Sequence, residues 1–334
     1  MKQGFVKVAS ATPRIRVADP VYNAQVICEQ AKEAAEHGAK IVVFPELCIT
    51  GYTCNDLFLQ ELLLEKAKEA LLTIAEETGQ LETLFLVGLP VDKDGRLYNV
   101  AAVLYRGRIL GMIPKKNIPM YAEFYEGRHF TPGEETVTEY RLGKQVIPFG
   151  SNLLFRCEEL PELVLGCELC EDLWVAEPPS TSHALMGATV IANLSASNET
   201  VSKDDYRTLL KASSARLLCG YIYTSAGEGE STQDLVFGGH DLIAENGTLL
   251  VQSARFTTGI LYTDLDVLKI SSERRRMGTF GKRPMKPYLT VPFSMQLTGT
   301  KLDRKFAAHP FVPEDMVERN RRCEDILSIQ AFGL

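Results

Sequence analysis

Short apolar runs separated by amphipathic stretches set the rhythm of the chain. Phe5 to Ser10 reads as a strand. Asp19-Pro20 then opens a helix that closes near Gly38, because Asp accepts from free amides at a helix start and Pro suits the first helical position. Ile41 to Phe44 is a continuous apolar run expected to be a buried strand, followed by a long helix from Leu57 to about Glu77 and a strand from Leu84 to Gly88. That order is β-α-β-α-β. The pattern next switches to a hairpin, with Tyr98 to Tyr105 and Ile109 to Pro114 joined by Arg106-Gly107-Arg108, whose glycine can take positive φ.

The second half repeats this alternation without repeating the sequence. Strand Leu163 to Leu169 leads to a helix near Thr181 to Met186, strand Thr189 to Asn193, and a helix from Asp204 to Leu218. On that last helix Tyr206, Leu209, Leu210, Ser213 and Leu217 share one face. Strand Tyr221 to Ser225 follows, and Val236 to Ile243 pairs with Thr248 to Gln252 across the turn Glu245-Asn246-Gly247. Each half therefore gives a mixed sheet with helices on one side. No Pro/Ser/Gly-rich linker divides them, so residues 1–270 are expected to form one α/β domain of two similar layers. Residues 271–334 form an extension with basic runs at Arg274-Arg275-Arg276 and Gly281-Lys282-Arg283, ending in a charged helix from about Pro313. It is either a solvated face or a domain or subunit contact.

Composition narrows the function classes. With 45% hydrophobic and 24% charged residues the 334-residue chain can bury a sizeable core, which excludes disordered, collagenous and coiled-coil chains. A net charge of −7 leaves no general basic footprint for a phosphate backbone, so no nucleic acid partner is expected. No apolar run approaches the roughly 18 residues of a membrane span, and Lys2 and Lys7 interrupt any leader-like apolar stretch. The expectation is a cytoplasmic protein without a membrane partner. Eight irregularly spaced cysteines suggest reduced thiols rather than a disulfide scaffold.

Missing motifs narrow the chemistry further. The chain has no G-x-G-x-x-G, Walker A, H-E-x-x-H or G-x-S-x-G string, and His37, His129, His183, His240 and His309 are scattered without metal-ligand spacing. No metal is expected. Cys167-Glu168-Leu169-Cys170 has the spacing of a redox pair, but it ends a strand in which residues an odd number apart face opposite ways, and no second such pair supplies zinc ligands. Cys167 is assigned to core packing. Cys170 sits where the strand turns into Glu171-Asp172-Leu173-Trp174, the place where α/β folds present reactive groups, although its chemistry alone leaves a nucleophilic role undecided. Glu46 follows the buried run Ile41 to Phe44 in the same way. It is either a general base with a pKa raised by burial or an ordinary cap or salt-bridge partner. Lys115, after Ile109 to Pro114, would taken alone be a surface lysine.

The combination says more than its members. A thiol attacking a carboxamide needs a proton acceptor, a proton for the departing ammonia and positive charge beside the developing oxyanion. Cys170, Glu46 and Lys115 supply that set at three strand ends.

In those motifs the chain resembles the nitrilase superfamily of carbon-nitrogen hydrolases from about Val6 to Leu268. Phe44-Pro45-Glu46-Leu47 with Thr50-Gly51-Tyr52 resembles its glutamate motif, Pro114-Lys115 its lysine motif and Gly166 to Asp172 its cysteine motif, while Glu126 in Tyr125-Glu126-Gly127-Arg128 resembles its second, supporting glutamate. Glu123-Phe124-Tyr125-Glu126, Cys170-Glu171-Asp172-Leu173-Trp174, Asn193-Leu194-Ser195-Ala196-Ser197 and the tail through Ile329-Gln330 are similar to the N-terminal glutaminase domain of the glutamine-dependent NAD+ synthetases.

This resemblance implies a four-layer α-β-β-α sandwich, homo-oligomeric assembly, and hydrolysis of L-glutamine through a thioester on Cys170. The ammonia would serve an ATP-dependent amidation of deamido-NAD+ by a synthetase domain, in cis or in trans. It implies that Glu171, Ser197 and Lys203 recognise the two ends of the substrate and that Tyr52, Tyr121, Phe124 and Trp174 shape the pocket. The S-G-G-x-D-S loop of the synthetase domain is not in the sequence, so ATP and magnesium are expected only with that other domain and no cofactor with this chain. The nearest string, Gly238-Gly239-His240-Asp241, is assigned to the hairpin strand, with Asp241 where superfamily members often have Ser. Two alternatives stay in view: an amidase of the same superfamily acting on another small amide, which the opposite charges of Glu171 and Lys203 disfavour, and a non-catalytic assembly subunit.

Overall fold

The computed structural model describes residues 1–281, 287–306 and 308–334, without the side chain of Asp204. Lys282 and Arg283 of the second basic run lie outside the described residues. Among those described, the order is β1 (Phe5–Thr12), α1 (Pro20–Glu36), β2 (Ile41–Val43), α2 (Glu61–Glu77), β3 (Leu84–Lys93), β4 (Arg96–Tyr105), β5 (Arg108–Pro114), β6 (Thr138–Leu142), β7 (Gln145–Phe149), β8 (Leu153–Cys157), β9 (Val164–Leu169), α3 (Pro179–Leu185), β10 (Val190–Ser195), α4 (Lys203–Leu217), β11 (Gly220–Ser225), β12 (Leu242–Glu245), β13 (Thr248–Gln252), β14 (Gly259–Asp266), α5 (Val267–Arg276), β15 (Leu289–Phe293) and α6 (Met316–Gly333).

Two mixed sheets result, in the orders β14-β1-β2-β3-β4-β5-β7-β6 and β13-β12-β11-β10-β9-β8-β15. The parallel strands β1, β2 and β3 lie at the centre of one, and β9, β10 and β11 at the centre of the other. Their sequences are almost wholly apolar because both faces are covered. Val8, Ile41, Val43 and Leu86 meet Leu165, Cys167, Val190 and Ala192 between the sheets. On its other face the first sheet packs Val42, Phe85 and Val87 against Ile27, Ala31, Leu71 and Ile74 of α1 and α2. The second packs Ile191, Tyr221 and Tyr223 against Ala184 of α3 and Leu210 and Leu217 of α4. The layers are therefore helix, sheet, sheet, helix.

Local chemistry explains the element boundaries. The Asp19 carboxylate accepts from Tyr22 N at 3.1 Å and Pro20 opens α1, as expected. The expected helix from Leu57 starts later. Tyr52–Leu59 forms 3₁₀ turns interrupted at Asn55 (φ 49°, ψ −133°), and the α-helix begins only at Glu61. The strand expected from Val236 also starts late, at Leu242, and the Gly238-Gly239-His240-Asp241 string is loop rather than strand. Gly239 takes φ 56° there, and Asp241 turns its carboxylate to Ser225 N and the Thr12 hydroxyl, which a regular ladder would not allow. On α4, Leu210, Ser213 and Leu217 are buried as their shared face predicts, but Tyr206 and Leu209 stay exposed and Arg207 takes the inner position.

Compact packing continues past residue 270. The first compact unit runs from Met1 to Leu302 and includes α5 and β15, which pairs in parallel with β8. The second unit, Asp303–Leu334, is built on α6, whose start is capped by Asp315 accepting from Glu318 N at 2.8 Å and whose residues are none of them buried. No helix among the described residues is long and apolar enough to cross a membrane.

Candidate active site

Three turns at carboxyl ends of strands build the site. After β2, Phe44 N still bonds Leu86 O at 2.9 Å, and Glu46 N then reaches across to Ser195 O of the other sheet at 3.3 Å. Leu47, the next residue, adopts φ 52°, which L side chains rarely tolerate. This turn can lie on β3 only because Gly88 has no side chain. A Cβ there would stand 2.3 Å from Leu47 N and 2.8 Å from the Glu46 carbonyl carbon. Lys115 ends β5 with its N–H on Asn99 O at 2.8 Å and its carbonyl accepting from Gly133 N at 2.7 Å. Cys170 leaves β9 with φ 39°, and its own N–H donates to Asn193 Oδ1 at 3.1 Å.

Burial makes these groups depend on one another. Glu46 and Lys115 are 0% exposed, and Glu126 and Cys170 are 5% exposed. Lys115 Nζ donates to Glu46 Oε1 at 2.7 Å and to Glu126 Oε1 at 2.6 Å. Asn99 Nδ2 donates to Glu46 Oε1 at 2.7 Å, Ala196 N donates to Glu46 Oε2 at 2.9 Å, and the Tyr52 hydroxyl donates to Glu126 Oε1 at 2.8 Å. An ammonium has three donors, so Lys115 keeps one N–H for a further acceptor after serving both carboxylates.

The electrostatics follow from this packing. Burial pushes the Cys170 thiol well above its usual range, Glu46 adds to that, and Lys115 opposes it. The resting group is a neutral thiol that needs a base. Burial alone would pull the Lys115 ammonium down, but Glu126 and Glu46 together hold it well above the ordinary lysine range. Burial raises the Glu126 carboxyl, with Lys115 working against it. A neutral thiol, a fixed cation and an anchored carboxylate in one buried site can attack an acyl carbon, stabilise an oxyanion and shuttle a proton.

The expected substrate residues fall into two groups. The Tyr121 hydroxyl meets both Glu171 carboxylate oxygens at 3.0 Å, and the Tyr121 and Phe124 rings meet edge to face at 5.8 Å. Lys203 Nζ lies 5.0 Å from the Trp174 ring centroid, with burial lowering its pKa. Ser197 is buried in the segment after β10. Tyr52 lies deeper, beside Glu126, and lines with it a cavity of about 50 Å³.

Cys167 is buried in the core between the sheets, as assigned, and all eight cysteines are free thiols. Sequence reasoning missed three supporting residues. Asn99 is a polar residue inside an apolar strand, and that mismatch was its only signal. Asp172 accepts from Leu169 N at 3.1 Å, Asn117 N at 2.8 Å and Asn117 Nδ2 at 2.7 Å, tying the cysteine turn to the segment after Lys115. Asn193 holds the Cys170 amide.

Two sheets, four layers and this carboxylate, ammonium and thiol cluster define an amide-cleaving class of fold, and the chain belongs to the carbon-nitrogen hydrolase family, which it matches over residues 7–275. It is 39% identical over 344 aligned residues to the glutamine-dependent NAD(+) synthetase of Mycobacterium tuberculosis, an alignment that covers 100% of this chain and 51% of that protein. The crystal structure of a glutamine-dependent NAD(+) synthetase from Cytophaga hutchinsonii superposes with a TM-score of 0.71 at 28% identity, over 78% of this chain and 43% of that one. An amidase of the nitrilase superfamily from Nesterenkonia shares the fold at 22% identity and a TM-score of 0.62, over 81% of this chain and 94% of that one. The chain spans about half the length of the curated relatives it matches.

Proposed function

We propose that this chain is the glutamine amidohydrolase component of a glutamine-dependent NAD+ synthetase. The observation that carries the reading is the buried Lys115 ammonium held between Glu46 and Glu126 at the strand ends that also present Cys170. Cys170 Sγ attacks the glutamine carboxamide carbon while Glu46 takes the thiol proton. The remaining Lys115 N–H, with backbone amides, stabilises the oxyanion. Collapse breaks the C–N bond, and Glu46 passes the proton to the leaving nitrogen, releasing ammonia and leaving a thioester. Glu46 then activates water, and the thioester hydrolyses to glutamate.

Glutamine is favoured over a neutral amide by the opposite charges at the rim, where Glu171 suits an α-ammonium and Lys203 an α-carboxylate. Ser197 helps Glu171 and Lys203 recognise these two ends, and Tyr52, Tyr121, Phe124 and Trp174 shape the pocket. The ammonia serves the ATP-dependent amidation of deamido-NAD+ in a synthetase domain, in cis or in trans, and must travel protected because water would protonate most of it. ATP and magnesium belong to that reaction. The setting is a cytoplasmic homo-oligomer.

An electrophilic glutamine analogue tests the assignment directly. Mass spectrometry should locate the adduct on Cys170 and Cys170→Ala should abolish it, whereas labelling of Cys167 or Cys219 would sink the reading. A panel of amides tests the substrate, and faster turnover of neutral amides than of glutamine would replace it with a general amidase.

A further inference from the structure

We propose that Glu168 is a positioning residue for the Cys170 thiol, acting through Tyr221 and Asn193 on the Cys170 backbone. The inference rests on the reading of Cys170 as nucleophile. Glu168 has no part in the chemistry above, yet it is a carboxylate only 1% exposed inside the sheet-helix layer, where an apolar side chain would pack at lower cost.

Its neighbours form a directed chain. Glu168 on β9 and Asn193 on β10 are register partners, and Tyr221 on β11 lies diagonally beside them. The Tyr221 hydroxyl donates to Glu168 Oε1, and Ser180 N donates to Oε2 at 2.7 Å. With its proton committed to the carboxylate, the Tyr221 oxygen is left as acceptor for Asn193 Nδ2 at 3.3 Å. That fixes which way the Asn193 amide points. Its Oδ1 therefore faces the Cys170 N–H at 3.1 Å and the Ser195 hydroxyl at 2.9 Å.

The end of the chain is where backbone strain sits. A non-glycine residue at φ 39° persists only when its surroundings over-determine it. Asp172 grips Leu169 N and Asn193 grips Cys170 N, so successive amides of the turn are each held by a side chain. Glu168 decides whether the second of these grips presents an oxygen or an amino group.

Glu168→Gln exposes this logic. The Ser180 N–H cannot turn, so the new amide must give it the oxygen and offer its NH2 to Tyr221. The Tyr221 proton then swings toward Asn193, whose amide flips and sets a donor against the Cys170 N–H. The experiment uses the full chain and measures glutamine hydrolysis together with alkylation of Cys170 by iodoacetamide, located by mass spectrometry. Glu168→Gln, with an unchanged circular dichroism spectrum, should lower kcat about tenfold or more while KM stays within about twofold, and should slow alkylation in parallel. Tyr221→Phe, which removes only the hydroxyl, should do the same, and the double variant should be no worse than either single one. A folded Glu168→Gln or Tyr221→Phe chain with kcat and alkylation within about twofold of the parent overturns the proposal, as do additive losses in the double variant. If iodoacetamide labels Cys167 or Cys219 of the parent instead of Cys170, the functional reading itself fails and this inference with it.

Discussion

The floor and the rim of the site are built by different means. On the floor, Glu46, Lys115, Glu126 and Cys170 are buried and sit mostly at strand ends, and the first three share short hydrogen bonds to which both sheets contribute. At the rim, Tyr121 is 55% exposed, and Tyr121, Glu171, Trp174 and Lys203 meet through one hydroxyl-carboxylate contact and one cation over a ring. The floor cannot lose Lys115 without leaving two buried carboxylates facing each other, whereas the rim can change one side chain and keep its fold. On the proposed function, reaction class would reside in the floor and substrate choice in the rim.

Removing the proposed nucleophile should have the largest effect. Cys170→Ala should cut ammonia release from glutamine by about 10⁴-fold or more without unfolding the chain, and activity within tenfold of the parent would end the assignment. Lys115→Met should lower kcat by about 10²–10³-fold, the usual loss of an oxyanion donor. It should also cost about 3–5 kcal/mol of stability, because Glu46 and Glu126 would face each other across a neutral side chain. Urea unfolding checks the second part, and an unchanged midpoint would show that the floor is less interdependent than its geometry.

Gly88→Ala asks whether the floor rests on backbone as well as charge. A methyl 2.3 Å from Leu47 N forces the Glu46 turn off β3, so we expect about a tenfold loss of kcat and about 1–3 kcal/mol of destabilisation. A fully active variant would show that the turn has slack. At the rim, Lys203→Met should raise KM for glutamine about tenfold with kcat nearly unchanged and no shift in the urea midpoint. A fall in kcat at constant KM would move Lys203 to the floor.

The smallest effect on rate is expected at Asp241, which belongs to neither region. Burial pushes its pKa up to about 7 from the ordinary value of 3.8, against the bonds from Ser225 N and Thr12. The folded chain thus keeps this proton where the unfolded chain has released it. Its contribution to stability is full below about pH 4 and is lost as pH rises through about 7. Asp241→Asn should flatten the fall in urea midpoint between pH 5 and 7.5, and an unaltered slope would refute the shift.

The same contrast governs what the sequence could reveal. Continuous apolar runs such as Ile41 to Phe44 announce buried parallel strands, and the polar residue that ends each run is exposed to chemistry by the fold's geometry. Glu46 and Cys170 are legible for that reason. The rim residues were reached only through resemblance, since no periodicity distinguishes Tyr121 or Lys203 from ordinary surface residues. The tight turn between β3 and β4 was missed although Asp94 and Gly95 take φ of 51° and 73° there, the signature of an Asp-Gly hairpin. Strands β6, β7 and β15 were missed because they are short and partly exposed, so neither alternation nor a continuous apolar run marks them. Asn99 and Asn193 act through partners distant in sequence, which no local pattern encodes.

Glu46 takes a hydrogen bond from Ala196, 150 residues further along the chain and on the opposite sheet. Glu46 belongs to one sheet and the Cys170 thiol to the other, so no partly folded chain with a single formed sheet can bring the two together. Bringing together residues so far apart in sequence costs loop-closure entropy that only the packing of both sheets repays. The chemical reactivity of Cys170 is thus a clock for the docking of the two sheets: a refolding chain should gain Glu46-assisted reactivity only once its inner core has closed, and a newly made polypeptide carries no armed thiol while it is still searching for its structure.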